Sequence, residues 1–539
     1  MIERLGRLSV YDCMGMIGRL SMALEASGRP MEPAAQLRLV DWLAKDADPD
    51  LHRRLSDVVR RGPVAICEQE LVHLARMVLI HASPRKPNGF NAPTARDFLA
   101  CLFRGVPDLL QATKGELENR HTRLSWTLRQ CGMNRGQERL PLWSTYFEVF
   151  RRIWPALDAP GTPDADSAFL RYVGLSIEQF MSVGFAVSAA FAGEDGDGLG
   201  ASGALRPSEY FATTAFDSST VEAFLGATAA TLEDLRERIA AEDAQWGPTT
   251  FGSLAIEKTP LLRGPSGECY LVSAGALDRR VTHGILHSLA EGSVGAGLDR
   301  EHFTSPFGAA FQVWVERALR RGIAGSASPP EIFIDEDYGT KRLPRRTPDI
   351  VLRYPRALVL VEVVAGPMRA QTITRGDLDA FDRDFDKLVR KKAEQLSKRG
   401  VEILNGDAER IGLAATGVTA VWPVIVSATP FPHRPEIGRE VRQRLRAEGL
   451  FKDRRFRSIA IVSAEELAAA EGAMEEGASF LTLISEWKAT PAVGDHSFKN
   501  FLIDREIHRK RMPAKHHVAM FDEACDVMLG HVFAAGATP

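Results

Sequence analysis

Apolar residues recur at three- and four-residue spacing through most of the first 245 positions, as in LVHLARMVLIHA, RLSWTLRQCG and STYFEVFRRIW. Strand-like alternation is scarce there, so the pattern predicts a helical domain over residues 1–245. Two stretches rich in Gly, Pro, Asp and Ser, Pro84 to Thr94 and Gly193 to Tyr210, interrupt it as loops. Near residue 250 the texture changes. FGSLAIEKTPLLRGPSGECYLVSAGAL predicts two strands joined at GPSG, which makes residues 246–304 a β-hairpin and helical lead-in. SPFGAAFQVWVERALRR predicts a helix with Ser305 as its cap, Pro306 in its first turn, and Phe307, Phe311, Trp314, Val315 and Ala318 on one face.

Three strands are expected next, in EIFIDEDY, TPDIVLRY and ALVLVEVV. A helix from about Asp377 to Arg399, a strand at AVWPVIVSA, a helix from Pro435 to Glu448 and a strand at SIAIVSA complete residues 305–464. Residues 465–539 return to helical spacing, with SFKNFLIDREIHRKRM as a basic, partly amphipathic segment. The expected fold class is therefore multi-domain: an all-α N-terminal region, an α/β core with a central mixed sheet, and a helical C-terminal tail.

At 539 residues, two to four domains are expected, and 45% hydrophobic with 25% charged residues is ordinary for a globular chain. A formal net charge of -3 excludes a uniformly basic binder and leaves room for a local basic cleft. The six cysteines are scattered without ligand spacing, which argues against a disulfide framework or a structural zinc site. The N-terminal MIERLGRLSVYDCMGMIGRL carries acids and arginines where a signal peptide needs an apolar run, and no stretch reaches the uncharged length of a membrane helix. The expectation is a cytoplasmic protein without a membrane partner.

The chemistry sits in TPDIVLRYPRALVLVEVV. Alternation puts Leu358, Leu360, Glu362 and Val364 on one face of a strand apolar enough to be covered on both sides. An ionised carboxylate there requires a cation, a set of donors or a raised pKa. Asp349 shares a face with Val351 in the preceding strand, and YPRA is short enough for a hairpin. Two acids on adjacent strands can converge on one hard divalent ion.

This order of elements resembles the PD-(D/E)XK nuclease superfamily, the restriction-endonuclease-like fold. Pro348-Asp349 matches its PD element, Glu362 its second acid, and GAAFQVWVERAL and KLVRKKAEQL its flanking helices. The likeness covers roughly Ser305 to Ala464. It implies a Mg²⁺ or Mn²⁺ ion on Asp349 and Glu362, and hydrolysis of phosphodiester bonds in nucleic acid, with DNA the expected substrate. The chain departs from the family in two places. Val364 stands where the motif lysine belongs, and Gln312 stands where the first helix often has a glutamate; Glu316, one turn on, lies across the helix from its aromatic residues. Some members supply the lysine from the helix after the acid strand. Lys392 is the candidate here, since it falls four residues from both Leu388 and Leu396 of that helix's apolar stripe. The catalytic set implied is Asp349, Glu362, Lys392 and Gln395, with Gln395 positioning phosphate or water. Lys387 is expected to stand clear of the stripe.

Solvated surface accounts for most of the remaining charge, including the charged residues of GDLDAFDRDFDKLVRKK. The basic segments KRLPRRTP and LFKDRRFRS could meet phosphates, the first because it leads into Pro348-Asp349. HGILH has helical metal-ligand spacing without the acid of an HExxH site, and His516-His517 is a weaker pair. Phosphate-loop and nucleophile-elbow patterns are absent from the sequence. Two functional classes follow. One is a Mg²⁺-dependent endonuclease, by analogy with nuclease cores behind large helical domains a prokaryotic anti-phage defence effector. The alternative is a catalytically inactive nuclease-fold scaffold that binds nucleic acid, or a protein partner through the N-terminal helices.

Overall fold

Helices account for most of the described chain, and eight strands form two sheets among the described residues. The computed structural model describes residues 1–26, 33–44, 49–61, 66–87, 92–106, 113–133, 139–158, 160–192, 203–247, 254–326, 328–339, 344–490, 496–504 and 513–532. Parts of the two long loops, of KRLPRRTP and of the basic segment near residue 505 lie outside these residues.

The smaller sheet has the order β1 (Ala229–Ala230), β2 (Leu261–Arg263), β3 (Cys269–Leu271). Strands β2 and β3 form the hairpin expected at GPSG: the Gly264 N–H donates to Glu268 O at 2.7 Å, and Gly267 supplies the left-handed φ of 85° that the turn needs. The LAIEK stretch ahead of it is a short helix, Leu254–Lys258.

The larger sheet is mixed, with the order β4 (Glu331–Ile334), β5 (Ile350–Tyr354), β6 (Ala357–Val364), β7 (Ala420–Ser427), β8 (Ala460–Ser463). The first three strands run antiparallel; β7 and β8 continue parallel to β6. All eight residues of β6 are buried, as its continuous apolar run requires. Pro423 lies inside β7, where a proline would ordinarily break a ladder. It is tolerated because β8 joins β7 only from Val424 onward, after a single bridge between Val421 and Phe456.

The two faces of the sheet belong to different hydrophobic clusters. Ile350, Leu352, Val359, Val361 and Val363 pack with Phe307, Phe311 and Trp314. Val351, Leu358, Leu360 and Val364 pack with Leu388, Val389, Ala393 and Leu396. The helix under the first face, Glu301–Ala324, starts one turn before Ser305 and carries Pro306 inside it. Phe303 explains the extra turn. It is buried, and at i, i+4 spacing it prolongs the line Phe307–Phe311. The cluster around Trp314 also takes in Trp143, Phe150, Phe180 and Phe224, so one core contains residues from both sides of position 245. Among the described residues no single helix is long and apolar enough to cross a membrane.

A buried polar relay ties four helices across that core. The Ser144 hydroxyl lies 2.8 Å from Nδ1 of His517, whose Nε2 lies 3.4 Å from Glu471, and Arg321 Nε donates to Glu471 at 2.6 Å. His516 reaches Glu148 at 2.9 Å. Ser144, His517 and Glu471 have at most 1% exposure, so this serine–histidine–glutamate arrangement has no access for a substrate and acts as an interhelical clasp. His517→Ala takes a buried partner from the Ser144 hydroxyl and leaves a cavity between the helices, and should lower unfolding free energy by about 1–3 kcal/mol. Chemical denaturation checks this, with the exposed Glu316–Arg320 pair as a control expected to cost under about 1 kcal/mol.

Candidate functional site

Side-chain alternation along β6 aims Glu362 at the face covered by the helix Lys391–Leu404. Its carboxylate is 2% exposed. Lys392 Nζ donates to Glu362 Oε2 at 2.8 Å and stands 3.8 Å from Asp349 Oδ2. Asp349 directly precedes β5 and accepts the Val363 N–H on Oδ2 at 2.7 Å. Both acids therefore face the same side of the sheet and share one lysine.

The helix that carries Lys392 is not regular. A π-helical turn, Asp386–Arg390, separates Leu378–Phe385 from Lys391–Leu404. Such turns insert a residue and shift the phase of everything after them. Ala393, Leu396, Gly400 and Ile403 form the buried line beyond the turn, so Ala393 takes the place in the stripe expected for Lys392. Lys392 flanks that line, with its ammonium directed at the acids. Seven residues on, on the same edge, Arg399 Nη1 lies 3.6 Å from Glu362 Oε1 and also donates to the Thr347 carbonyl. Gln395 lies on this edge between them, but it is exposed and makes no hydrogen bond to Asp349, Glu362 or Lys392.

Glu362 carries the electrostatic cost of the site. Burial pushes its carboxyl up to about 7, and the nearby charge of Asp349 adds to the rise against the pull of Lys392 and Arg399. Its Oε1 receives no hydrogen bond, since 3.6 Å to Arg399 is too long for one. Val364, at the position of the family's lysine, is packed in the apolar cluster under this helix. Gln312 and Glu316 belong to the helix on the opposite side of the sheet, with Glu316 bonded to Arg320 at 2.8 Å. Neither is on the face that holds Glu362.

Sequence reading passed over Arg399 and also Asp335. Asp335 Oδ2 pairs with Arg346 Nη1 at 2.9 Å, and its backbone N–H donates to Asp349 O at 3.2 Å. Burial raises its pKa, Arg346 opposes that, and the charge of Asp349 raises it further. The heptad-like spacing of Lys392 and Arg399 was the signal available for the arginine; Asp335 gave none before the strands were in register. Arg345, from the same basic segment as Arg346, pairs with Asp407. Lys387 is exposed and clear of the stripe, as expected, although a Cβ added at Gly366, just beyond β6, would stand 3.8 Å from its Nζ. The rings of His283 and His287 are 6.0 Å apart, with Tyr146 packed against His283.

No protein-family model, no curated protein and no solved structure matches this chain.

Among the described residues, no three His, Cys, Asp or Glu side chains already converge on one point. The donor set nonetheless suits a hard divalent cation. It offers two carboxylates on one face, one of them with a buried oxygen lacking a donor, and a lysine ammonium now supplying the positive charge between them.

Proposed function

We propose that this protein is a metal-dependent nuclease of the PD-(D/E)XK type, cleaving phosphodiester bonds of DNA, with Asp349 and Glu362 holding Mg²⁺ or Mn²⁺. The observation that carries the reading is the single ammonium of Lys392 bonded to Glu362 at 2.8 Å and 3.8 Å from Asp349, opposite a motif that has lost its own lysine. The order of elements adds support: a helix, two strands with Pro348-Asp349 ahead of the second, the acid strand, a helix, and a parallel strand. A bound divalent ion would offset phosphate charge and lower the pKa of an attacking water.

The chain's own residues do the rest. Glu362 and Asp349 present two carboxyl groups whose orientation is set by the β5–β6 ladder and by the Val363 N–H. Lys392 has the reach to orient a water or to neutralise charge building on a phosphate oxygen. Arg399, anchored on the Thr347 carbonyl, limits how far Glu362 can turn. Gln395, exposed on the same helix edge as Lys392, would be the group that positions phosphate or water. A role in prokaryotic anti-phage defence, in the cytoplasm, is part of the same proposal and rests on analogy.

The second reading is an inactive scaffold that binds nucleic acid or a partner protein. One feature favours it: Lys392 already compensates Glu362, as a structural counter-ion would. The deciding experiment incubates the full chain with supercoiled and linear duplex DNA, single-stranded DNA and RNA, in Mg²⁺, Mn²⁺ or EDTA. Cleavage that needs the metal and disappears in Asp349→Asn and Glu362→Gln is the expected result. Binding without cleavage of any substrate, unchanged in both variants, would establish the scaffold.

A further inference from the structure

The register of the large sheet brings a third acid into line with the first two. The last β4–β5 pair is Ile334 with Ile350, so the next position outward sets Asp335 opposite Asp349, and the Asp335 N–H to Asp349 O bond of 3.2 Å occupies that step. The last β5–β6 pair at this end is Ile350 with Val361, so Asp349 in turn stands opposite Glu362. Glu362 pairs with Ile425, and Ile425 with Ile461. One row across five strands thus reads Asp, Asp, Glu, Ile, Ile. Its apolar half is sealed under the helix Pro435–Ala447 and its neighbours, and its acidic half opens toward Asp335.

Exposure rises along the acidic half. The side chains of Glu362, Asp349 and Asp335 are 2%, 19% and 34% exposed. Glu362 faces Lys392 and, at 3.6 Å, Arg399; Asp349 has the same lysine at longer range, and Asp335 has Arg346. Arg346 is 52% exposed and shared with Asp337 at 3.4 Å, so it is a loosely held counter-ion. Asp335 is also one of two non-glycine residues with positive φ among the described residues, at 46°. Aspartate tolerates this left-handed region better than most side chains, and the turn ends β4 at the row of acids. A buried atom of the row points to a ligand: Glu362 Oε1 receives no hydrogen bond, its nearest cation being Arg399 at 3.6 Å.

We propose that Asp335 is a third carboxylate of the divalent-cation site, with Arg346 as the counter-ion that occupies it when the cation is absent. The inference rests on the metal-binding reading of Asp349 and Glu362. A hard cation entering from solvent meets Asp335 first, displaces Arg346, and gains an oxygen donor beyond the two that the motif supplies. The released guanidinium is then free to engage a phosphate of the substrate, a geometry for which arginine is suited.

The test is Mn²⁺ binding to the full chain at pH 7.5, followed by the loss of the free-ion signal in electron paramagnetic resonance. Wild type, Asp335→Asn, Arg346→Gln, Asp337→Asn, Asp349→Asn and Glu362→Gln are compared. Asp335→Asn should weaken binding at least about tenfold, the size of one lost carboxylate contact in a charged site. Arg346→Gln should tighten it two- to fivefold, because a competitor for Asp335 is gone. Asp337→Asn should stay within twofold. If Asp335→Asn folds poorly, Arg346→Gln still decides, through the opposite sign of its effect. Unchanged binding in both, with loss in Asp349→Asn and Glu362→Gln, overturns the role of Asp335 and leaves the two-acid site standing. No Mn²⁺ binding by wild type at millimolar concentration removes both.

Discussion

Lys392→Ala is expected to reduce metal-dependent cleavage by about a thousandfold or more, roughly 4 kcal/mol of transition-state stabilisation, while changing DNA affinity by less than about threefold. The size follows from position. Lys392 is the group bonded to Glu362 and also near Asp349, and Val364 cannot replace it. Affinity should persist because binding nucleic acid draws on many phosphate contacts, of which one lysine is a small part. Lys398→Ala, at an exposed position of the same helix, should leave the rate within about twofold. Lys387 is a poorer control, since a Cβ added at Gly366, just past the acid strand, would stand 3.8 Å from its Nζ. Cleavage that survives Lys392→Ala would shift the chemical role to Arg399 or Lys387, and the Lys387→Ala and Arg399→Ala rates would then separate them.

The sequence pattern exposed the strands and the two acids for a simple reason. A carboxylate inside ALVLVEVV violates the composition of its own strand, and that violation is local. The helix carrying Lys392 was also legible, because its stripe of Leu388, Val389 and Leu396 recurs at helical spacing. Its π-turn was not, since no residue in DKLVR marks one; Ala393 took the buried position and Lys392 the flank. Asp335 stayed hidden for a different reason. EIFIDEDY ends in three consecutive acids, Asp335, Glu336 and Asp337, before its tyrosine, and only the pairing of Ile334 with Ile350 selects which of them meets Asp349. The helix start at Glu301 was missed because Ser305-Pro306 is a strong local start signal, overridden by burial of Phe303. Local violations can be read from one strand. Register and phase depend on partners distant in the chain.

Glu362→Gln should abolish metal-dependent cleavage and yet make the protein more stable at pH 8, by about 1–3 kcal/mol. An ordinary glutamate in the unfolded chain titrates near 4.5, whereas burial and Asp349 push the folded value up to about 7. The folded state thus holds the proton more tightly, and between those two values it binds more protons than the unfolded chain. Stability contributed by this site falls as pH rises through that window, and above it the full penalty of a buried charge is present. Glutamine carries no such charge, so the variant's advantage should be small at pH 4.5, grow through neutrality and level off by pH 8. Taking the difference between variant and wild type cancels other buried acids with raised values, such as Glu25, whose carboxyl is pushed up to about 8 by burial and the charge of Glu68. Lys392 and Arg399 lose a partner in the variant, but each retains about a quarter of its side-chain exposure, so water can take up part of their charge. Mg²⁺ at pH 8 should then stabilise wild type much more than Glu362→Gln, because the variant has lost one of the carboxylates that hold the ion. Urea denaturation at pH 4.5, 6, 7 and 8, with and without Mg²⁺, measures all of this. If the variant gains nothing between pH 4.5 and pH 8, Lys392 and Arg399 already offset the burial of Glu362 in full, and its carboxylate is a counter-ion of the core.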